Sequence, residues 1–143
     1  MKQTKTFSQN SEEYHQALSL RYKILRVPLG LEFTDEELKK DKHDLHFGIF
    51  ENGKILACLT LTECENGRMK MRQVAVDGNL QGKGLGSALA LAAERYSKER
   101  GSKIMFCHAR KTAVPFYLKL GYKIVGDEFA EVNIPHYVME KEL

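Results

Sequence analysis

The 143-residue chain is long enough for one domain, and with 43% hydrophobic residues it can close a core without disulfide or metal staples. A formal net charge of +3 is too small to point to nucleic acid, which calls for a clustered basic face. It suits a small anionic ligand instead, with Lys83, Arg110 and Lys111 as the basic residues closest to the segments of interest.

No apolar stretch approaches the roughly 18 residues a membrane span needs, and Met1-Lys2-Gln3-Thr4 leads into polar residues and not a signal-peptide core. The expectation is a cytoplasmic protein that engages neither membrane nor nucleic acid. Cys58, Cys64 and Cys107 are odd in number, far apart, and lack C-x-x-C spacing or a histidine at zinc-ligand distance, so they read as reduced, semi-buried thiols and no metal is expected. His108 adjoins Cys107, but neighbours on a strand point to opposite faces, which argues against a nucleophile and base pair there.

No repeat, low-complexity tract or Pro/Gly/Ser-rich linker interrupts the chain, so residues 1–143 read as a single domain. Lys5 to Phe7 fits a short first strand. Asn10 with Glu13 three residues on resembles a capping box, followed by Tyr14, Ala17, Leu18, Tyr22 and Leu25 at helical spacing, with Pro28 and Gly30 ending the helix. Thr34 with Glu37 repeats the capping signal for a short helix to about Lys40.

His46 to Phe50 and Lys54 to Leu61 are strand-like and joined by Asn52-Gly53, the dipeptide that best supplies a type I′ hairpin turn. Arg68 to Val76 continues after a second such turn at Asn66-Gly67, so antiparallel strands precede the glycine cluster. Leu85, Ala88, Leu89, Ala92, Ala93 and Tyr96 form a helical stripe stopped by Gly101. Lys103 to Cys107 predicts a strand, Thr112 to Leu120 a short helix with Pro115 in its first turn and Gly121 as its stop, and Tyr122 to Val125 and Tyr137 to Glu140 the last strands. The C-terminal strand would be able to pair across a homodimer if it forms an exposed edge.

The segment Val74-Ala75-Val76-Asp77-Gly78-Asn79-Leu80-Gln81-Gly82-Lys83-Gly84-Leu85-Gly86-Ser87 breaks a strand into a Gly-rich turn that opens a helix. Without Cβ atoms, backbone N–H groups can approach a phosphate closely, and the helix N-terminus adds about half a positive charge. Lys83 adds a mobile cation. A Walker loop is excluded by spacing, and a dinucleotide fingerprint needs a parallel strand-helix-strand unit that antiparallel hairpins upstream do not supply.

This segment resembles the coenzyme A signature of the GNAT superfamily of N-acetyltransferases, Gln/Arg-x-x-Gly-x-Gly/Ala, with Gln81, Gly84 and Gly86 at its fixed positions. Ala113-Val114-Pro115-Phe116-Tyr117-Leu118-Lys119-Leu120-Gly121-Tyr122 resembles the family's second signature. Arg21 to Arg26 and Ile134-Pro135-His136 are similar to small single-domain bacterial members of the ElaA type. The resemblance implies an α+β (mixed α/β) fold with a central, mostly antiparallel mixed sheet of about six or seven strands flanked by about four helices. It also implies transfer of an acetyl group from acetyl-coenzyme A to a primary amine by direct attack in a ternary complex.

Carried over residue by residue, Val74, Ala75 and Val76 would offer backbone amides to the pantetheine arm and thioester carbonyl. Gln81, Gly82, Lys83, Gly84, Leu85, Gly86 and Ser87 would hold the pyrophosphate, and Arg110 would approach the coenzyme from the opposite wall. Tyr117 would contact the coenzyme as general acid for the departing thiolate, although an aromatic at helical spacing also reads as core. Glu63, His46, His108 and His136 are candidate bases, with His136 preferred for its place in the C-terminal motif; Gln73 has no basic group and would orient substrate or water. Tyr22, Arg26, Leu29 and Phe33 would line the acceptor wall together with Gln73. A coenzyme A-binding sensor or interaction domain without turnover is the alternative, and transfer of a longer acyl group a third. The acceptor, whether a free amino acid, polyamine, sugar amine, antibiotic or protein amine, is not selected by a mildly basic chain.

Overall fold

The computed structural model describes residues 1–143. Its strands form a seven-stranded sheet in the order β1-β2-β3-β4-β5-β7-β6, mixed and mostly antiparallel, with four α-helices. Two compact units can be distinguished, Met1–Thr62 with Arg72–Ala93, and Glu63–Met71 with Glu94–Leu143. No helix is long and apolar enough to cross a membrane.

In the first unit, β1 (Lys2–Phe7) runs antiparallel to β2 (Leu45–Glu51), which pairs with β3 (Lys54–Glu63) through the hairpin turn at Asn52 and Gly53. Both turn residues have positive φ, 52° and 77°, as a type I′ turn requires. Helix α1 (Glu12–Arg21) is capped by Ser11 and not by Asn10: the Ser11 hydroxyl accepts the Tyr14 N–H at 3.2 Å and donates to the Ser8 carbonyl at 2.6 Å. Beyond Arg21 the helix widens into a π-turn over Tyr22–Arg26, and a 3-10 turn containing Pro28 then ends at left-handed Gly30. Thr34 and Glu37 form the expected reciprocal capping box at the start of α2 (Asp35–Lys40).

The core of this unit includes Ala17, Leu20, Phe50, Ile55, Cys58 and Ala75, with Phe7, Ile24 and Leu25 against it. A polar knot is buried beside it. Asp41 Oδ2 accepts from the Tyr14 hydroxyl at 2.6 Å and from Arg21 Nη1 at 2.8 Å, with Arg21 and Asp41 only 1% and 0% exposed. His46 Nε2 lies 2.9 Å from the Asp41 carbonyl, which can only accept, so the proton sits on Nε2 and Nδ1 accepts from Thr60 Oγ1 at 3.2 Å. Burial then pulls the His46 pKa below its ordinary value, against the weaker pull of Asp41. His46, a candidate base in the sequence, is thus held at both ring nitrogens inside the protein.

In the second unit, the start of β4 (Arg68–Val76) pairs in parallel with β5 (Ile104–Arg110), and β7 (Ile134–Glu142) lies antiparallel between β5 and β6 (Lys123–Glu131). The premise for dimerisation through the C-terminal strand therefore fails, because β7 is interior and β6 is the edge. Hydrogen bonding explains the order: β7 is paired along seven residues of β5, which leaves β6 to add outside it. Gly121, with φ of 96°, follows α4 (Val114–Lys119) and turns the chain into β6.

Helix α3 (Leu85–Glu99) is rotated from the apolar stripe read in the sequence. Leu85, Leu89, Ala90, Ala93, Glu94 and Ser97 are buried, while Ala88 is exposed. The shift comes from Glu94, whose carboxylate accepts from the Tyr122 hydroxyl at 2.9 Å and from Lys141 Nζ at 2.7 Å, so a charged residue occupies the buried face with both oxygens satisfied.

Replacing Asp41 with Ala strands the Arg21 guanidinium in the interior and should cost about 3–5 kcal/mol in urea denaturation, whereas the paired change Arg21→Met with Asp41→Leu should recover much of that loss. His46 generates a pH effect of defined sign. Its folded pKa lies below the unfolded value of 6.5, so its contribution is present above that pH and is lost as pH falls and the unfolded chain takes up the proton. Thermal unfolding followed from pH 7 downward to about pH 5 should show a slope that His46→Gln flattens.

Candidate active site

In the first unit, β4 carries a break in its own geometry. Gln73 has φ of 55° in mid-strand, a left-handed conformation that a side chain with Cβ adopts at a cost. Its neighbour is anchored: Arg72 Nη1 donates to Asp44 Oδ2 at 2.8 Å and to Thr62 Oγ1 at 3.2 Å. Val74, Ala75 and Val76 follow this left-handed residue, and Ala75 is buried in the core.

After Val76 the chain turns tightly. Asp77 N–H donates to the Leu56 carbonyl at 2.9 Å, Asp77 Oδ1 accepts the Asn79 N–H at 3.0 Å, and Gln81 Nε2 reaches back to the Val76 carbonyl at 3.2 Å. Gly82 and Gly84 both have φ of 82°, and a Cβ built on either meets no atom within 4 Å. These glycines are therefore required by backbone conformation, and the space beside them is open. The first intrahelical bond of α3 runs from Ala88 N–H to the Gly84 carbonyl at 3.0 Å, which makes Gly84 the N-cap. A glycine has no side chain with which to cap, so the N–H groups of Leu85, Gly86 and Ser87 point beyond the helix start with the positive end of its dipole. Lys83, exposed between the two glycines, adds a full charge. The set fits the oxygens of a diphosphate.

The same unit carries the residues expected to contact the acceptor. Tyr22, Arg26 and Phe33 are brought together: the Tyr22 ring lies 6.5 Å from that of Phe33, and the Arg26 guanidinium lies 4.7 Å from its centroid. Arg21 approaches the same ring at 4.9 Å. Arg26 is mostly buried and donates to Glu37 Oε2 at 2.6 Å. Burial alone would raise the Glu37 carboxyl, but Arg26 together with the Thr34 amide outweighs it and holds that carboxyl below its usual range. Leu29 is partly exposed on the 3-10 turn.

In the second unit, Tyr117 is the buried residue of α4, packed edge-on against Phe116 at 5.0 Å and Tyr122 at 5.5 Å. Its hydroxyl is hydrogen-bonded to the Cys107 thiol, and burial raises both groups, the thiol to about 12. The neighbouring Tyr122 differs in one respect that matters chemically. Its hydroxyl donates to the Glu94 carboxylate, a strong acceptor, whereas Tyr117 faces a thiol, a weak one. Cys107 itself stays a protonated thiol at neutral pH and is no nucleophile.

His136 is 3% exposed, with Nδ1 2.8 Å from the Ile134 carbonyl, which can only accept, so Nδ1 bears hydrogen. Nε2 lies 3.6 Å from Glu131, whose other oxygen is 3.1 Å from His108 Nδ1. Burial would raise the Glu131 carboxyl, but the two histidines and Lys70 hold it below the usual range. His108 and His136, separate candidates in the sequence, thus share one carboxylate, with Phe129 against both rings. Arg110 sits opposite His136 in the β5–β7 register, and Lys111 pairs with Glu128 at 3.1 Å. Glu63 is exposed at the end of β3. Glu131 is absent from the candidates read in the sequence, although it lies five residues before His136, close to the motif that contains it.

The chain matches the family model of the acetyltransferase (GNAT) domain over residues 28–143. It is 23% identical over 136 residues to the uncharacterized N-acetyltransferase YjcF of Bacillus subtilis (strain 168), a match covering 94% of this chain and 96% of YjcF. Over 60 residues it is 42% identical to the uncharacterized protein YyaT of the same organism, covering 42% of this chain and 40% of YyaT. The chain thus spans less than half the length of YyaT in that match. Its fold is similar to that of a Lactobacillus plantarum protein (TM-score 0.89, 23% identity, 99% of this chain and 98% of that one). Escherichia coli ElaA has a TM-score of 0.86 at 19% identity, with 99% of this chain and 100% of ElaA covered. An aminoglycoside 6′-N-acetyltransferase complexed with coenzyme A has a TM-score of 0.79 at 16% identity, covering 98% and 96%. With a family model covering most of its length and a fold to match, the chain belongs to the GNAT acetyltransferase family.

Proposed function

We propose that this chain is an acetyl-coenzyme A-dependent N-acetyltransferase that moves the acetyl group to a primary amine by direct attack in a ternary complex. The observation that carries the reading is the left-handed, side-chain-free entry to α3, where Gly82 and Gly84 leave helix-terminal N–H groups uncapped. A relative of the same fold was crystallised with coenzyme A, which supports that choice of anion. Bound there, the donor supplies an activated thioester.

The residues of this chain then divide the work. Gln81 to Ser87 bind the pyrophosphate, and Arg110 contributes a further cation to the coenzyme. Val74, Ala75 and Val76, just past left-handed Gln73, offer N–H donors to the thioester carbonyl, where charge grows as the amine attacks; donors already in place favour the transition state over the ground state. Tyr117 protonates the departing sulfur. His136 accepts the proton the amine sheds, directly or through water. Tyr22, Arg26, Leu29 and Phe33, with Gln73, face the acceptor. Free thiols at Cys58, Cys64 and Cys107 fit a reducing, cytoplasmic setting.

Calorimetry with acetyl-coenzyme A should show saturable binding, which Gly84→Asp weakens about tenfold or more by placing a competing carboxylate on the same N–H groups. Absence of binding at millimolar donor would end the proposal. Thiol release measured with a free amino acid, spermidine, glucosamine, an aminoglycoside and a lysine peptide identifies the acceptor class. With the best of these, Tyr117→Phe should lower kcat about a hundredfold or more while the KM for acetyl-coenzyme A stays near its original value. Binding without release for any amine would favour a sensor.

A further inference from the structure

We propose that Glu131 is a positioning residue that acts through His136: its carboxylate takes over the proton that His136 receives from the amine and passes it to solvent, with His108 holding the carboxylate in place. This rests on His136 acting as the base.

The arrangement follows from strand register. Ile134, His136 and Val138 alternate onto one face of β7. The pairings of Glu131 with Ile134, Phe129 with His136 and His108 with Val138 bring all three partners to that face. The turn between β6 and β7 consists of Val132 and Asn133, with φ of 46° and 62°, the left-handed pair of a type I′ hairpin. Glu131 and Ile134 flank it, so one tight turn sets both groups beside the His136 ring: the Ile134 carbonyl, 2.8 Å from Nδ1, and Glu131 Oε2, 3.6 Å from Nε2.

With Nδ1 committed to a carbonyl that can only accept, Nε2 is the nitrogen at which this ring gains or loses a proton, and the group it faces is the carboxylate. A separation of 3.6 Å is longer than a hydrogen bond, and a small turn of the exposed Glu131 side chain closes it. The His136 side chain is 4% exposed, that of Glu131 46% and that of His108 27%, so the cluster runs from the interior to the surface. An imidazolium shut off from water is unfavourable and has no direct exit for its proton; a carboxylate beside it favours the charged ring and supplies the exit. Glu131 Oε1 meets His108 Nδ1 at 3.1 Å, and Phe129 lies 5.2 and 5.9 Å from the two imidazole rings, where it offers neither of them a polar alternative. Although burial would raise the Glu131 carboxyl, the two histidines and Lys70 hold it below its usual range, so a proton accepted there is readily given up.

The protons balance. A primary amine arrives as an ammonium, which has no lone pair, so its first proton leaves before attack: to His136 Nε2, then to Glu131 Oε2, then to water. The nitrogen bonds to the acetyl carbon, the carbon–sulfur bond breaks with its electron pair on sulfur, and Tyr117 protonates that sulfur. A second proton, shed by the nitrogen once it has bonded, restores Tyr117. Each turnover therefore sends one proton to solvent, and the path ends as it began.

Nuclear magnetic resonance of the parent protein tests the geometry without substrate. Nδ1 of His136 should keep its hydrogen as the pH is varied while Nε2 gains and loses one, and the Glu131 carboxyl carbon should respond over the same interval, a response lost in His136→Asn. A carboxyl that ignores the His136 titration would overturn the proposal whatever the activity. With the fastest amine of the panel, Glu131→Gln should lower kcat about tenfold with little change in the KM for acetyl-coenzyme A. Glu131→Ala should be slowed alike and regain most of its rate in formate, a carboxylate small enough for the vacated space, while Glu131→Gln stays slow. A slow Glu131→Ala that formate does not restore means a structural role only and refutes the proposal. If His136→Asn is slow and Glu131→Gln is as fast as the parent, the role of Glu131 is refuted and that of His136 stands. If His136→Asn is as fast as the parent, both fall. Melting temperatures of each variant separate loss of fold from loss of rate.

Discussion

The ion pair between Arg21 and Asp41 sets the terms for the first unit. Two charges with almost no contact with water are held chiefly by each other, Tyr14 adding a hydrogen bond at Asp41 Oδ2, while Asp41 Oδ1 and Arg21 Nε and Nη2 have no hydrogen-bond partner. The knot ties the end of α1 to the segment before β2, and His46 carries the tie on to β3 through Thr60. The chain just beyond Arg21 is therefore not free to wander. The π-turn at Tyr22–Arg26 starts from a fixed guanidinium, and the Phe33 ring rests against that same group and against Arg26. A wall proposed to recognise an acceptor thus has its footing in the most deeply buried polar group of the unit.

The second unit solves a similar problem with Glu94. This carboxylate receives the Tyr122 phenol and the Lys141 ammonium, joining α3 to the turn after α4 and to β7. Its presence gives two adjacent phenols different partners. One is bound to an anion, the other to a thiol. The distinction depends on which partner each ring meets and cannot be read from the aromatic side chains alone.

Features governed by neighbouring residues in the chain were legible in the sequence. The Thr34 and Glu37 capping box, the Asn52-Gly53 hairpin, and the stops at Gly101 and Gly121 all follow from local hydrogen bonding and φ preference. Ser11 caps α1 in place of Asn10 because two neighbouring residues can both cap and only the chain's path chooses between them. The buried face of α3 differs from the expected stripe because a count of apolar spacing gives no credit to a carboxylate that finds partners on other elements. Strand order was likewise out of reach: the place of β7 between β5 and β6 is decided by long-range pairing. For the site, the glycine turn stood out in one dimension, while the link of His108 and His136 through Glu131 and the contact of Tyr117 with Cys107 required the fold.

A helix that begins on glycine is unfinished at that end. Most chains would place a serine or aspartate at position 84 and close the first turn with their own atoms. Here the closing atoms must come from outside, so the opening turn of α3 should be the part of the helix most readily unwound in the empty protein and the part that gains most rigidity when an anion arrives. In the proposed complex, affinity and local order are one quantity seen from two sides.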